Sequence, residues 1–343
     1  MDGAPPAQRR RDTAPSAVVP EAAWQRALAA IAAARRPLLV CHINPDGDAL
    51  GSMLGCALGL RALGRPVQAT FPGPQELPEV FTSTLPGMEL LTEPQATYPD
   101  PDLLLTFDAA SAERLGEFTD RMPGADDVVV LDHHASNPGF GTVNLIDPSA
   151  AATAMVVDEL LRRLGVPLDR QIAECLYVAL STDTGSFKYQ ATTPQVHAFA
   201  ARLLQAGVDQ YEISRRLFDA RPFGALRVFG EALGRIRLEP EVAAGAGFVW
   251  TYATLDDLAR HQQPGYVLES LIDVVRSAEE ADVACVAKQV GAEEWAVSLR
   301  SRGAVDVAAV AGALGGGGHR YAAGFTGRGD VTALMASIRA ALG

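Results

Sequence analysis

Three short apolar runs in the first half of the chain each lead into an acidic or histidine-bearing segment. PLLVCH opens onto His42-Ile43-Asn44-Pro45-Asp46-Gly47-Asp48, DLLLTFD ends on Asp108, and DVVVLDHH runs into Asp132-His133-His134. A fourth segment, STDTGSF, carries Asp183. Runs of this length and composition read as buried strands. In an open parallel sheet, loops leaving the carboxyl ends of neighbouring strands converge on one crevice. Carboxylates and imidazoles gathered there suit one or two divalent ions, with manganese a natural candidate. The first expectation is a metal-dependent hydrolase.

The rest of the chain fits that frame. At 343 residues it exceeds one ordinary core, so two domains are expected. Helical and strand patterns alternate from Trp24, which implies α/β architecture: a mostly parallel, doubly wound N-terminal sheet over residues 21–192. Residues 193–234 read as a helical connector, with Pro194 and Pro222 at helix starts. Residues 235–343 read as a smaller α/β domain with strands in IRLEP, GFVWTYAT, DVACVAKQV and EWAVSLRS. Residues 1–20, rich in Pro, Ala and Arg without an apolar core, read as a disordered tail and not as a signal peptide.

Net charge and cysteine usage narrow the function. A formal charge of -12 argues against gripping long duplex, whose affinity comes from Lys and Arg on phosphates. A short nucleotide held by metal ions and a few local cations stays compatible with it. Cys41, Cys56, Cys175 and Cys285 are scattered, which excludes a disulfide framework and fits a reducing cytoplasm. No stretch approaches the roughly 18 consecutive apolar residues of a membrane span.

Each candidate has a plain alternative. Asp46-Gly47-Asp48 is also an ordinary turn, and Asp108 a polar strand end; adjacent histidines after a buried strand are harder to assign to packing. Asn44 steadies the turn or touches substrate. Arg114 reaches substrate or belongs to a solvated helix face. Lys188, Tyr189, His197 and His261 show no spacing that demands a site role. The run Gly315-Gly316-Gly317-Gly318 before His319 is a helix C-terminus, or a loop whose bare N–H groups cradle an anion.

Taken together, HINPDGDALGS, Asp108, Asp132-His133-His134, STDTGSF and GGGGHRYAAG resemble the DHH phosphoesterase family along nearly the whole chain. Within it, the similarity is greatest to two-domain oligoribonucleases of the NrnA type. The resemblance implies one ion held by His42, Asp46 and Asp108, and a second by Asp48, Asp108, His133 and Asp183, with Asp108 bridging. The ions would be two Mn2+, with Mg2+ or Co2+ as substitutes. It implies Asp132 orienting a histidine and His134 near the phosphate, and it makes Gly316, Gly317, Gly318, His319 and Arg300 the substrate-holding residues, with Arg114 a weaker candidate.

The activity so implied is hydrolysis of RNA of two to five nucleotides to nucleoside 5′-monophosphates. Action on 3′-phosphoadenosine 5′-phosphate (pAp) and on linear or cyclic dinucleotides is implied as well, and a homodimer is expected. An inorganic pyrophosphatase shares the metal domain but lacks the GGGGH loop. A nucleotide-binding sensor would have lost a metal ligand, and here all six are present.

Overall fold

The computed structural model describes residues 19–73 and 77–343. The expected tail therefore lies outside the described residues up to residue 18; at its end Val19 is already buried, and the Pro20 carbonyl accepts from the Ala23 amide. The chain divides into two compact units, the first ending at Phe218 and the second running Asp219–Gly343.

The first unit runs α1 (Glu21–Ala33), β1 (Pro37–Cys41), α2 (Gly47–Ala62), β2 (Gln68–Thr70), a short α3 (Glu79–Thr82) and β3 (Leu103–Phe107). A 3-10 segment, Ala112–Gly124, precedes β4 (Asp127–Asp132) and β5 (Val143–Ile146), followed by α4 (Thr153–Arg163), α5 (Arg170–Asp183), α6 (Pro194–Gln205) and α7 (Gln210–Phe218). All five strands are parallel, in the order β2-β1-β3-β4-β5. Strands β1 and β3 are buried on both faces, as their unbroken apolar runs require. Leu39, Cys41, Leu105 and Leu131 face the main helical layer, while Leu38, Val40, Leu104 and Val128 meet Leu115 and Phe118 of the 3-10 segment. The order changes direction between β1 and β3, the place where ligands bind in such sheets.

The second unit runs α8 (Phe223–Gly234), β6 (Arg237–Glu239), β7 (Phe248–Ala253), α9 (Leu255–Arg260), α10 (Leu271–Val275), β8 (Val283–Gly291), β9 (Glu294–Ser301), α11 (Val307–Ala313), β10 (Gly317–His319), β11 (Ala322–Arg328) and α12 (Val331–Leu342). Its six strands are ordered β10-β11-β9-β8-β7-β6, antiparallel except for the β7–β8 pair. Among the described residues, no helix is long and apolar enough to cross a membrane.

Several elements differ from the sequence expectation. The segment expected as a connector is helical but divided: α6 and α7 belong to the first unit, α8 to the second. Pro194 occupies the first turn of α6, and Pro222 is the N-cap of α8. Strands β5, β10 and β11 were not anticipated: β5 is only four residues long, and Gly, Ala and Thr dilute the apolar periodicity of the other two. The glycine run is not a loose loop. Gly317–His319 pairs antiparallel with Ala322–Gly324 as an edge strand, and side chains at Gly316 or Gly318 would collide with the β11 backbone.

One packing contact sets the geometry of the first unit. Gly47, Gly51, Gly55 and Gly59 form a stripe along α2. A Cβ at Gly47 would strike the Thr182 side chain, and one at Gly51 the Cys175 carbonyl, both on α5. The bare stripe thus lets α2 lie against α5 at backbone distance. Gly51→Ala gains ~1 kcal/mol of helix propensity, but the methyl must force two helix backbones apart, at about 1–3 kcal/mol or more. We expect a lower denaturant midpoint for Gly51→Ala and a still lower one for Gly51→Val. Midpoints at or above wild type for both would contradict the close contact.

Candidate metal centre and substrate face

The strand-end segments do converge. His42 follows β1, Asp108 follows β3, and Asp132 ends β4 with His133 and His134 directly after it. Asp46 caps the N-terminus of α2, its Oδ1 accepting from the Asp48 and Ala49 amides at 3.1 and 3.0 Å. Asp183 arrives differently. It is the last residue of α5, where Ser181, Thr182 and Thr184 turn their hydroxyls back onto helix carbonyls and so carry the helix through to it. The α2–α5 contact is what delivers Asp183 beside Asp48.

Asp108 stands at the centre. It is 3% exposed, and its backbone takes φ +56°, a left-handed conformation that Asp tolerates better than most residues. One carboxylate oxygen, Oδ2, lies 3.6 Å from His42 Nε2. The other, Oδ1, lies 3.5 Å from His133 Nε2 and 3.6 Å from His134 Nδ1. Asp46 Oδ1 is 3.9 Å from His42 Nε2. Around His133 Nε2 stand Asp183 Oδ2 at 3.2 Å and Asp48 Oδ2 at 3.9 Å. The ligand atoms of His42, Asp46 and Asp108 lie within 4.8 Å of one another, as do those of Asp48, His133 and Asp183. Such oxygen and imidazole donors fit hard or borderline divalent cations.

The crowding shifts the titration of these groups. Burial, and then the charge of Asp108, push the Asp48 carboxyl well above the usual carboxylate range. Burial alone would raise Asp108 too, but the His42 hydrogen bond and the charges of His133 and His134 outweigh it and hold Asp108 below that range. Both candidate imidazole ligands are raised. Burial opposes this, but Asp108 and Asp46 prevail at His42, and Asp183, Asp108 and Asp48 lift His133 to about 9. Burial likewise pushes the Asp183 carboxyl well above the usual range, against the pull of the His133 charge.

The supporting hydrogen bonds were only partly legible in the sequence. Asp132 Oδ1 lies 2.7 Å from His134 Nδ1. Asn137, not anticipated, donates to Asp132 Oδ2 at 2.6 Å and to the Ala109 carbonyl at 3.0 Å. Asp48 accepts from Ser52 Oγ and from the Thr153 and Ala154 amides, and Thr153 Oγ1 donates to Asp108 at 2.9 Å. No signal distinguished these residues, since Ser, Thr and Asn at helix starts and turns are common.

Other candidates land in varied places. The exposed Arg114 places Nη2 2.9 Å from His42 Nδ1, at the rim of the site and not on a distant solvated face. Asn44 takes φ +52°, which favours its turn role. Lys188 is exposed, His197 stacks on Phe187, and His261 pairs with Glu231 at 2.6 Å. In the second unit Arg300 lies in register between Ala284 and Ala322, and Ala322 pairs with His319 on the edge strand. Arg300 and His319 thus share one sheet face, two strand spacings apart (about 10 Å). Alanine stands between them, and Ser298, Gly324 and Gly317 form the next row. Small residues thus separate a cation from an imidazole on this face.

Residues 37–180 match the DHH family, N-terminal domain, and residues 252–343 match the DHHA1 domain. A bifunctional oligoribonuclease and PAP phosphatase, NrnA, of Thermus thermophilus is 35% identical over 84% of this chain and 83% of its own length. A probable protein of the same description from Streptococcus mutans is 25% identical over 65% of this chain and 69% of its own. Among solved structures, an exopolyphosphatase-related protein from Bacteroides fragilis covers 95% of this chain and 97% of its own at TM-score 0.84 and 22% identity, a likeness of fold.

The raised His133 gives a pH test. A divalent ion at this nitrogen displaces the proton that the ring holds below about pH 9. Metal affinity should therefore fall as pH falls from 9 to 6, by about tenfold per unit for each proton displaced. Calorimetry in buffers of different ionisation enthalpy should register the released protons. Affinity flat across this range would remove His133 from the ligand set.

Proposed function

The chain belongs to the DHH family, with a DHHA1 domain at its C-terminal side, and on that premise we propose that it is a metal-dependent phosphodiesterase. It hydrolyses RNA of a few nucleotides to nucleoside 5′-monophosphates and also dephosphorylates pAp. The observation that carries this reading is Asp108, whose two oxygens face separate imidazole–carboxylate groups as a bridging ligand must. In this reading His42, Asp46 and Asp108 hold one ion, and Asp48, Asp108, His133 and Asp183 the other, with manganese the preferred metal. When bound, such a pair neutralises phosphoryl oxygens and lowers the pKa of an attacking water.

The protein groups do the rest. Asp132 takes the Nδ1 side of His134, which leaves Nε2 to deliver a proton to the leaving 3′-oxygen as its bond to phosphorus breaks. Arg300 offers a planar fork that matches a terminal phosphate bidentately, and His319 with Gly316, Gly317 and Gly318 completes the nucleotide seat. The Ile43 carbonyl steadies His42 by accepting from Nδ1, which leaves Nε2 to the ion, and Arg114 stands at the rim as a cation near substrate. The reading extends to a homodimer working in a reducing cytoplasm, in keeping with four free, buried cysteines.

The decisive assay is manganese-dependent hydrolysis of 5′-labelled pApA, with a 24-nucleotide RNA, pAp and pyrophosphate in parallel. Release of AMP from the dinucleotide and from pAp, with the long RNA spared, is the expected outcome. Preference for pyrophosphate would reassign the substrate, and no turnover with metal bound would favour a nucleotide sensor. Asp108→Ala should bring turnover down to background while the protein stays folded; near-normal manganese-dependent activity would refute the bridging assignment. Arg300→Ala should raise KM for the dinucleotide about tenfold or more, since a charge-assisted contact contributes about 1.5–3 kcal/mol. Metal affinity should not change, and unchanged dinucleotide kinetics would exclude Arg300 as a phosphate contact.

A further inference from the structure

Helix α4 begins without a cap of its own. Its N-cap, Ala152, has no side-chain oxygen, yet the first amides are not left bare. The Thr153 amide donates to Asp48 Oδ2 at 2.6 Å and the Ala154 amide to Asp48 Oδ1 at 3.2 Å. A carboxylate from α2 thus caps a helix more than a hundred residues later and meets the positive end of its dipole. The same residue reaches a second carboxylate, because Thr153 Oγ1 donates to Asp108 Oδ1 at 2.9 Å. Thr153, Asp48 and Asp108 are all buried, with Thr153 and Asp48 fully so.

Thr153 therefore ties two candidate ligands from different elements through one position, one by its amide and one by its hydroxyl. Among the described residues, the other nitrogen groups placed around the Asp108 carboxylate are His42, His133 and His134, all members of the candidate site. A carboxylate can rotate about its Cβ–Cγ bond. For Asp108 to serve two ions it must present Oδ1 to the His133 side and Oδ2 to the His42 side at once. The Thr153 hydroxyl is a donor outside the ligand set that selects this orientation.

We infer that Thr153 is a positioning residue: its hydroxyl locks Asp108 in the bridging orientation and so sets the affinity of the site for its second divalent ion. The inference rests on the two-ion reading above. It assigns Thr153 no contact with substrate or reacting atoms.

The test is manganese titration of the full-length protein by calorimetry, on wild type, Thr153→Val and Thr153→Ser. Valine keeps the β-branched shape and the backbone amide but removes the hydroxyl. The expected result is two ions on wild type, and on Thr153→Val one ion held 10- to 100-fold more weakly, the usual effect of losing an outer hydrogen bond to a ligand. Thr153→Ser should recover affinity to within a few fold, since only the methyl group is lost. If valine against a carboxylate prevents folding, judged by circular dichroism, Thr153→Ala removes the hydroxyl without placing new carbon there. Wild-type affinity in a folded variant that lacks the hydroxyl, or weakening equal in the serine variant, overturns the inference and leaves the two-ion reading standing. Failure of wild type to bind manganese overturns both.

Discussion

Four carboxylates and two imidazoles crowd together at the end of a buried sheet, where like charges repel and burial penalises each of them. The architecture of the first unit follows from bringing them there and keeping them in place. The parallel order β2-β1-β3-β4-β5 puts His42, Asp108 and Asp132 through His134 at one edge. The glycine stripe of α2 brings Asp46 and Asp48 against the end of α5, where Asp183 waits. The N-terminus of α4 turns its amides onto Asp48. Each device supplies a donor, a dipole or a close approach that a loose loop could not.

The same crowding shifts the titration of the buried histidines. His133 holds its proton to about pH 9, and His42 is raised as well, because the carboxylates attract positive charge more strongly than burial repels it. A metal ligand must be deprotonated, so any divalent ion bound through these imidazoles would compete with protons for them. Asp108 remains ionised by contrast, since three histidines surround it.

The second unit contributes a different kind of order. Glycines that read on paper as slack lead into and form an edge strand, and Gly316, just before it, and Gly318, within it, permit an approach to β11 that any side chain would block. Arg300 and His319 come to share a face only through the β9–β11–β10 register, and the small residues between them keep the floor clear. Buried side chains on the opposite face, among them Trp295, Val297 and Leu299, make that register unambiguous, because a slip by one residue would turn them outward.

Much of the site was legible in the sequence because strand-end chemistry is local. An apolar run followed at once by Asp or His announces both the strand and the residue it presents, and His42, Asp108, Asp132, His133 and His134 all declared themselves this way. The parallel α/β class was legible from the same alternation. Asp183 was marked by its motif, but its seat at the end of a helix depends on α2 and α5 packing through glycine, a contact between segments more than a hundred residues apart. Thr153, Ser52 and Asn137 left no mark, since a hydroxyl or amide that orients a carboxylate looks like any other in a helix start or turn. Local composition thus determined which atoms this chain offers for chemistry. Tertiary packing alone decided which of them share a hydrogen bond and which way Asp108 faces, because donors and acceptors meet only when distant backbones are brought together.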